Sequence, residues 1–406
     1  MTRARRSHGV TRRTFLKGTA ALGGAVAVAS LLPGCTNPAG SGDGDRPVQA
    51  GEGDAVNVTE SYEEADLPLA EQLSWSLPPG CVLHPGDSAW AAVTSPAASS
   101  GTMVAAQALS LLTGAVNDVL PGPVGEGANW TIYDVRCSDR VYAWVELDVL
   151  SRAWALYAQP FEGGSISGSP TELWEADAEY EPPQLCCTGG KVLWQVMPSL
   201  SGSRTAESSM CYLWERGADE ARAVVESPGR FATPPTVSGD QVVLAPRVNA
   251  DEGVYYGITA YSLDDDLETV VDRLTLPIGI APFKATRIGE EFAFSIEANY
   301  QSGGLFANMG TYIGHGDGPF VWLSREPAAD VAGSAKGLYV VKSTSSYFVI
   351  DTEAETYAIL AASDNCVDYG EYPAVCGETS RFVTFATVKD EATGSPAEVR
   401  VRTFGM

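Results

Sequence analysis

Side-chain chemistry in this chain would have to come from a short inventory. The 406 residues hold three histidines, eight cysteines and 51 carboxylates. A nucleophilic triad needs a histidine between a hydroxyl and a carboxylate. His84 stands beside the first strong strand-like run, and His315 lies in the turn Gly314-His315-Gly316-Asp317-Gly318. No Gly-x-Ser-x-Gly elbow, phosphate-binding glycine loop or repeated Ser-x-Asp-x-Gly-x-Thr-Trp box accompanies them. Both histidines therefore read as packing or turn residues, and no catalytic residue is assigned. A carboxylate pair of the kind that hydrolyses glycosides stays open, because 51 acidic residues give no means of choosing two.

The cysteines point to structure more than to metal. Setting Cys35 aside leaves Cys81, Cys137, Cys186, Cys187, Cys211, Cys366 and Cys376, an odd number with no Cys-x-x-Cys. With so few histidines a zinc site is not expected. Cys366 with Cys376 closes a short loop and is the first candidate disulfide; Cys211 with Cys186 or Cys187 is the second. Calcium is the one cofactor that the acidic runs Asp264-Asp265-Asp266 and Asn249-Ala250-Asp251-Glu252 would suit. Neither has calcium-loop spacing, so solvated turns are the better reading and no cofactor is expected.

What must position these groups is a repeated β unit. Apolar runs recur behind Pro, Gly or Ser turns, and Trp90, Trp144, Trp194, Leu244, Phe294, Val340 and Phe385 align at spacings of 54, 50, 50, 50, 46 and 45. Leu213, Leu263 and Ile313 keep the same beat, with a looser partner at Ile350. A period of 40–50 with several strands per unit is the mark of a β-propeller. Alternating β-branched and aromatic residues bounded by turn residues supply about four strands per unit. The expectation is an all-β chain, a seven-bladed propeller of four-stranded blades over residues 69–406, with Trp144 and Trp194 in its core. The last unit is one strand short, and an orphan run, Leu73-Ser74-Trp75-Ser76-Leu77, precedes the first. That run should complete the last blade and close the ring, leaving no open sheet edge.

The ends of the chain speak to location. Arg3, Arg5, Arg6, Arg12, Arg13 and Lys17 precede an apolar stretch from Gly18 to Leu32, fifteen residues with three glycines. That is shorter than the roughly 20 residues a membrane-spanning helix needs, and it fits a cleaved secretory leader. Within it, Arg12, Arg13, Phe15 and Leu16 resemble the twin-arginine export signal, and Leu32-Pro33-Gly34-Cys35 resembles a bacterial lipobox. The resemblance implies export of a folded protein, loss of residues 1–34 and lipid on Cys35, with the chain held at the outer side of the bacterial membrane. Residues 35–68 read as a flexible acidic tether, poor in apolar residues, with order beginning near Leu67. The propeller pattern, with Leu or Ile followed by Asp at the outer hairpins, resembles TolB-like and dipeptidyl-peptidase-IV N-terminal-like propellers, in architecture alone.

Charge and loops bound the partners. The chain carries 26 basic against 51 acidic residues, a net charge of −25, and the six basic residues of the leader are lost on export. Such a field repels nucleic acid and anionic lipid, so contact with the membrane is expected only through the lipid. Loops between units are where propellers bind. They offer Tyr180, Arg230, Asn299, Tyr300, Arg325, Asp368, Tyr369 and Glu371 as candidate contacts, tyrosines for stacking and isolated arginines for anions. The reading is a monomeric, non-enzymatic binding or scaffold module for an envelope protein, peptide or glycan. The alternative is an envelope hydrolase or lyase using carboxylates at the propeller axis.

Overall fold

The seven aligned positions of the repeat all land on one kind of strand. In the computed structural model, which describes residues 45–86, 89–97, 104–299, 303–324, 330–367 and 370–406, strand pairing makes seven sheets, each built on antiparallel strands. Trp90, Trp144, Trp194, Leu244, Phe294, Val340 and Phe385 each lie on the second strand of their sheet. The third sheet shows the plan: Gln184–Thr188, Lys191–Val196, Ser209–Glu215 and Arg222–Ser227 pair in chain order. Trp144 and Trp194 are fully buried.

Six apolar clusters join neighbouring sheets into a ring. One links the first sheet to the second through Ala92, Tyr142 and Phe161, and another links the second to the third through Leu156 and Trp194. The series runs on to a cluster in which Val349 of the sixth sheet, Phe382 of the seventh and Leu109 of the first meet. Closure is therefore apolar as well as hydrogen-bonded. Glu71–Leu77 pairs antiparallel with the C-terminal strand Pro396–Gly405, with Trp75 opposite Val401, so the N-terminal run supplies the outer strand of the seventh sheet. The architecture is an all-β propeller.

Outer hairpins turn on aspartates. Asp148 Oδ1 accepts from the amides of Leu150 and Ser151, Asp351 Oδ1 from Glu353 and Ala354, and Asp390 Oδ1 from Ala392 and Thr393. A short side chain capping its own turn is why Asp recurs there. In the Asp264-Asp265-Asp266 run, Asp266 spends its carboxylate on Lys191, at 2.6 Å, and on Arg222.

Two expectations need correction. Residues 45–66 are laid along the ring, although their composition reads as tether. Val48 donates its amide to Thr275 O at 2.8 Å, Ala55–Asn57 pairs parallel with Phe320–Trp322, and Glu63–Glu64 pairs parallel with Thr356–Tyr357. Between them a helical turn, Val58–Ser61, capped by Asn57, buries Val58 completely. Outer strands need partners, and isolated apolar residues in an acidic run suffice to seat one. The second correction is the disulfide. Cys366 and Cys376 stand as separate thiols. Cys366 bridges to Val388, whereas the chain from Tyr372 on runs along the inner edge of the ring and carries Cys376 to the axis.

Candidate functional site

The innermost strands converge on the axis, and each sheet contributes to what lies there. A cavity of about 80 Å³ is lined by Pro85, Arg136, Cys186, Val237, Lys284, Asp330 and Cys376, one residue at or beside the inner strand of each sheet in turn. It is well below the 300–1,000 Å³ of ordinary small-molecule pockets, so it admits only a small group. Lys284 Nζ pairs with Asp330 Oδ1 at 3.2 Å across adjacent sheets. Burial pushes the Cys376 thiol far up, which keeps it protonated and unreactive.

Two of these inner strands carry bulges, and both bulges extrude an aromatic ring. In Trp130–Cys137, Ile132 faces Glu146 and Asp134 faces Val145, leaving Tyr133 unpaired. In Pro282–Ile288, Pro282 faces Ile296 and Lys284 faces Ser295, leaving Phe283 unpaired. A bulge re-aims a side chain, and the result here is Tyr133 at 53% and Phe283 at 50% exposure. Val82 at 44% and Tyr372 at 40% begin the inner strands of the first and seventh sheets. Four of seven inner strands thus present a large apolar side chain to solvent.

Beside Tyr133 lies a chain of polar groups that joins the first sheet to the second. Thr94 Oγ1 is 3.0 Å from His84 Nε2, and His84 Nδ1 is 2.9 Å from Asp134 Oδ1. Arg136 Nη1 bonds Asp134 Oδ1 and donates to Val135 O at 2.8 Å, while standing 3.0 Å from His84 Nδ1. Two tautomers of His84 satisfy these contacts. With the Nη1 hydrogens on the Asp134 and Val135 oxygens, His84 Nδ1 donates to Asp134 and Nε2 accepts from the Thr94 hydroxyl. With an Nη1 hydrogen on Nδ1, Nε2 donates to Thr94 instead. Burial lowers the His84 pKa, and the Arg136 charge adds to that, so the ring is neutral near pH 7. For Asp134, burial works to raise the pKa. Arg136 and the His84 hydrogen bond outweigh it and hold the carboxyl below its ordinary range.

The loop residues named from sequence are distributed differently. Tyr180 and Arg230 are brought together at the third sheet: Tyr180 bridges to Pro198, and Arg230 donates to Pro198 O. The Tyr180 hydroxyl donates to Glu207 Oε2 at 3.0 Å under the Arg204 guanidinium. Asn299 Nδ2 donates to Gly279 O at 3.1 Å and so ties one loop to the next. Glu371 is fully buried between the sixth and seventh sheets. It accepts from Arg402 Nη2 and from the Ser363 hydroxyl, both at 2.5 Å. Lys342 lies nearby with its ammonium 5.4 Å from the Tyr347 ring and 5.6 Å from Tyr372, and burial lowers its pKa. Tyr300, Arg325, Asp368 and Tyr369 lie outside the described residues, as do Arg12, Arg13, Phe15, Leu16 and Cys35. Thr94, Tyr133, Asp134, Arg136 and Phe283 escaped the sequence reading. One signal was available: His84 and Asp134 stand one repeat apart.

No family model matches the chain, and no curated protein does. Solved structures do resemble it. One, from a structural and mechanistic study of two prolyl endopeptidases, is 8% identical, with a TM-score of 0.51, over 80% of this chain and 50% of that one. Prolyl oligopeptidase B from Galerina marginata, bound to a 25mer macrocyclization substrate, is 10% identical, with a TM-score of 0.50, over 76% and 47%. The β-propeller domain of the Trilobed protease from Pyrococcus furiosus is 11% identical, with a TM-score of 0.49, over 82% and 94%. The chain spans about half the length of the first two. Identity this low speaks to fold alone, and it is this chain's own ring of sheets that makes the fold a β-propeller.

Proposed function

We propose that this chain is an exported, lipid-anchored, seven-bladed β-propeller that binds an envelope protein or peptide at the mouth of its axis. The observation that carries the reading is the pair of bulges that set Tyr133 and Phe283 half out of the inner edge. Leaving large aromatic surface in water forgoes roughly 25 cal/mol per Å2 that burial would return. Aromatic side chains at the centre of a face are the usual anchors of protein recognition. The axial cavity admits a side-chain tip and excludes a chain, so a partner would dock on the mouth. Seven sheets, each holding one position of the fifty-residue beat on its second strand, support seven blades. The basic leader, its twin arginines and the lipobox support export and lipid on Cys35, and the acidic surface argues against nucleic acid and anionic lipid.

The test is a thermal-shift panel of peptides, cell-wall fragments and oligosaccharides on the mature chain. A ligand at a hundred times its Kd adds about 2.7 kcal/mol of stability. That gain should vanish in a Tyr133→Ala/Phe283→Ala variant that melts like the parent without ligand. A ligand whose shift survives the double substitution would remove the axis mouth as its site. Mass spectrometry of the anchored protein should find lipid on Cys35, and Cys35→Ala should release the chain.

A further inference from the structure

We propose that Thr94, His84 and Asp134 form a nucleophilic triad, and that the axis mouth can cleave carboxylic esters through an acyl-Thr94 intermediate. Three parts of such a device are in place. The hydroxyl is 3.0 Å from the ring nitrogen that would take its proton, within the 2.6–3.2 Å expected of a nucleophile and its base. The other ring nitrogen is 2.9 Å from a carboxylate placed to accept its hydrogen, and Arg136 holds that carboxylate in turn. In the tautomer that donates Nδ1–H to Asp134, Nε2 is the acceptor and its lone pair faces Thr94. The His84 and Asp134 side chains keep 15% and 18% of their surface in water, and Thr94 is likewise only partly buried. Thr94 also pairs with Val82, one of the exposed residues of the inner strands, and Arg136, which holds Asp134, lines the axial cavity.

The chemistry balances without another reagent. Thr94 Oγ attacks the ester carbonyl carbon as its proton passes to His84 Nε2. The tetrahedral adduct collapses, the C–O bond to the alcohol breaks, and the leaving oxygen takes that proton. Water then gives a proton to Nε2 as it attacks the acyl carbon, and the carboxylic acid leaves with the Thr94 hydroxyl restored. Asp134 stays ionised and steadies the imidazolium, as a positioning residue. The inference is independent of partner binding, because Thr94 variants leave Tyr133 and Phe283 untouched.

The experiment uses the mature chain and p-nitrophenyl acetate as probe, with acid quenching and peptide mapping. One acetyl group on Thr94, formed and then lost as p-nitrophenol turns over, is the expected result. Thr94→Val removes both, while Thr94→Ser, which keeps the hydroxyl, retains them. Asp134→Asn lowers turnover by roughly a thousandfold or more and changes its pH profile, a readout that loss of packing would not move. Acetyl found only on lysines, or turnover unchanged in Thr94→Val, overturns the proposal. Should Thr94→Val melt early, absence of an acetyl-Thr94 peptide in the parent protein is by itself sufficient to reject it.

Discussion

Glu371 and Arg402 offer the sharpest test of how the ring is held at its closing junction. Glu371 is fully buried, and its partner keeps 13% of its side-chain surface. Two unit charges about 4 Å apart attract by about 4 kcal/mol at an effective dielectric of 20, most of which offsets the cost of taking both from water. Removing one charge strands the other, at a cost of 3–5 kcal/mol. Glu371→Gln keeps the Ser363 bonds and leaves Arg402 with Glu71, 3.5 Å away but 43% exposed, which recovers at most about 1 kcal/mol. The expected loss is therefore about 3 kcal/mol. Arg402→Met leaves a buried carboxylate to which, among the described residues, only Ser363 donates, and about 4 kcal/mol is expected. The double variant removes both charges and should lose no more than the worse single one, a coupling near 3 kcal/mol. Urea unfolding of the four proteins measures all of this. Additive losses, or a Glu371→Gln loss below about 1 kcal/mol, would show that the pair does not act as a buried ion pair.

The remaining predictions concern the mouth, the closing strand and the outer belt. The folded pKa of His84 lies below the ordinary 6.5, so the stability its neutral form contributes is present above that value and is lost as pH falls through it. Asp134, also depressed, adds a second loss below the ordinary carboxylate range. Unfolding free energy should be level from pH 8 to 7 and fall below about 6.5, and His84→Gln should remove the upper part of that fall. Gly114, at φ 73°, sits so close to the Trp75 ring of the closing strand that an added Cβ would collide with it. Gly114→Ala should cost more than the roughly 1–3 kcal/mol of its backbone strain. Gly168→Ala, at φ 78° with open space around it, should cost the backbone share alone, and equal melting losses would refute the Trp75 contact. Truncation before Leu67 uncovers the edges of Phe320–Leu323 and Thr356–Ala361. It should lower the unfolding midpoint and cause association visible by light scattering. A truncated chain that melts and scatters like the parent would return residues 45–66 to a tether.

Much of the architecture was legible because core packing repeats. A buried second strand in every sheet demands a large apolar residue, so Trp144, Trp194, Leu244 and Phe294 mark the period by themselves. The missing strand of the last unit and the orphan run around Trp75 were legible for the same reason, since both break that count. Composition failed on residues 45–66, because Val48 and Val58 are single apolar residues whose burial depends on sheet edges hundreds of residues away. Bulges are equally silent. Nothing in Ile132-Tyr133-Asp134 distinguishes an unpaired Tyr133 from one that alternates inward, since the slip is set by pairing with Glu146 and Val145. Among the loop candidates, Tyr180, Arg230 and Glu371 do gather partners, but those partners are neighbouring loops and buried ions of the ring.

The period holds information about polar groups as well as core. In a propeller, equivalent strands of adjacent sheets face one another, so residues one repeat apart meet across a junction. The hydrogen bonds follow that rule. Ala89 N donates to Asp139, fifty residues on, the Ser138 hydroxyl to Gly189 O, fifty-one on, and Ser238 to Arg287 O, forty-nine on. Arg136 meets His84 at a separation of fifty-two. Junction contacts are the likeness of one repeat to the next, and chemistry enters where that likeness is broken. The strand that carries Asp134 and Arg136 lies opposite His84, and the bulge at Tyr133 falls one residue before Asp134. Without that bulge, the register of Ile132 with Glu146 would carry on, Tyr133 would face Val145, and Asp134 would fall opposite Trp144 on the other face of the strand. One inserted residue thus does two things at the mouth: it puts a tyrosine into solvent and brings a carboxylate onto the histidine of the preceding sheet.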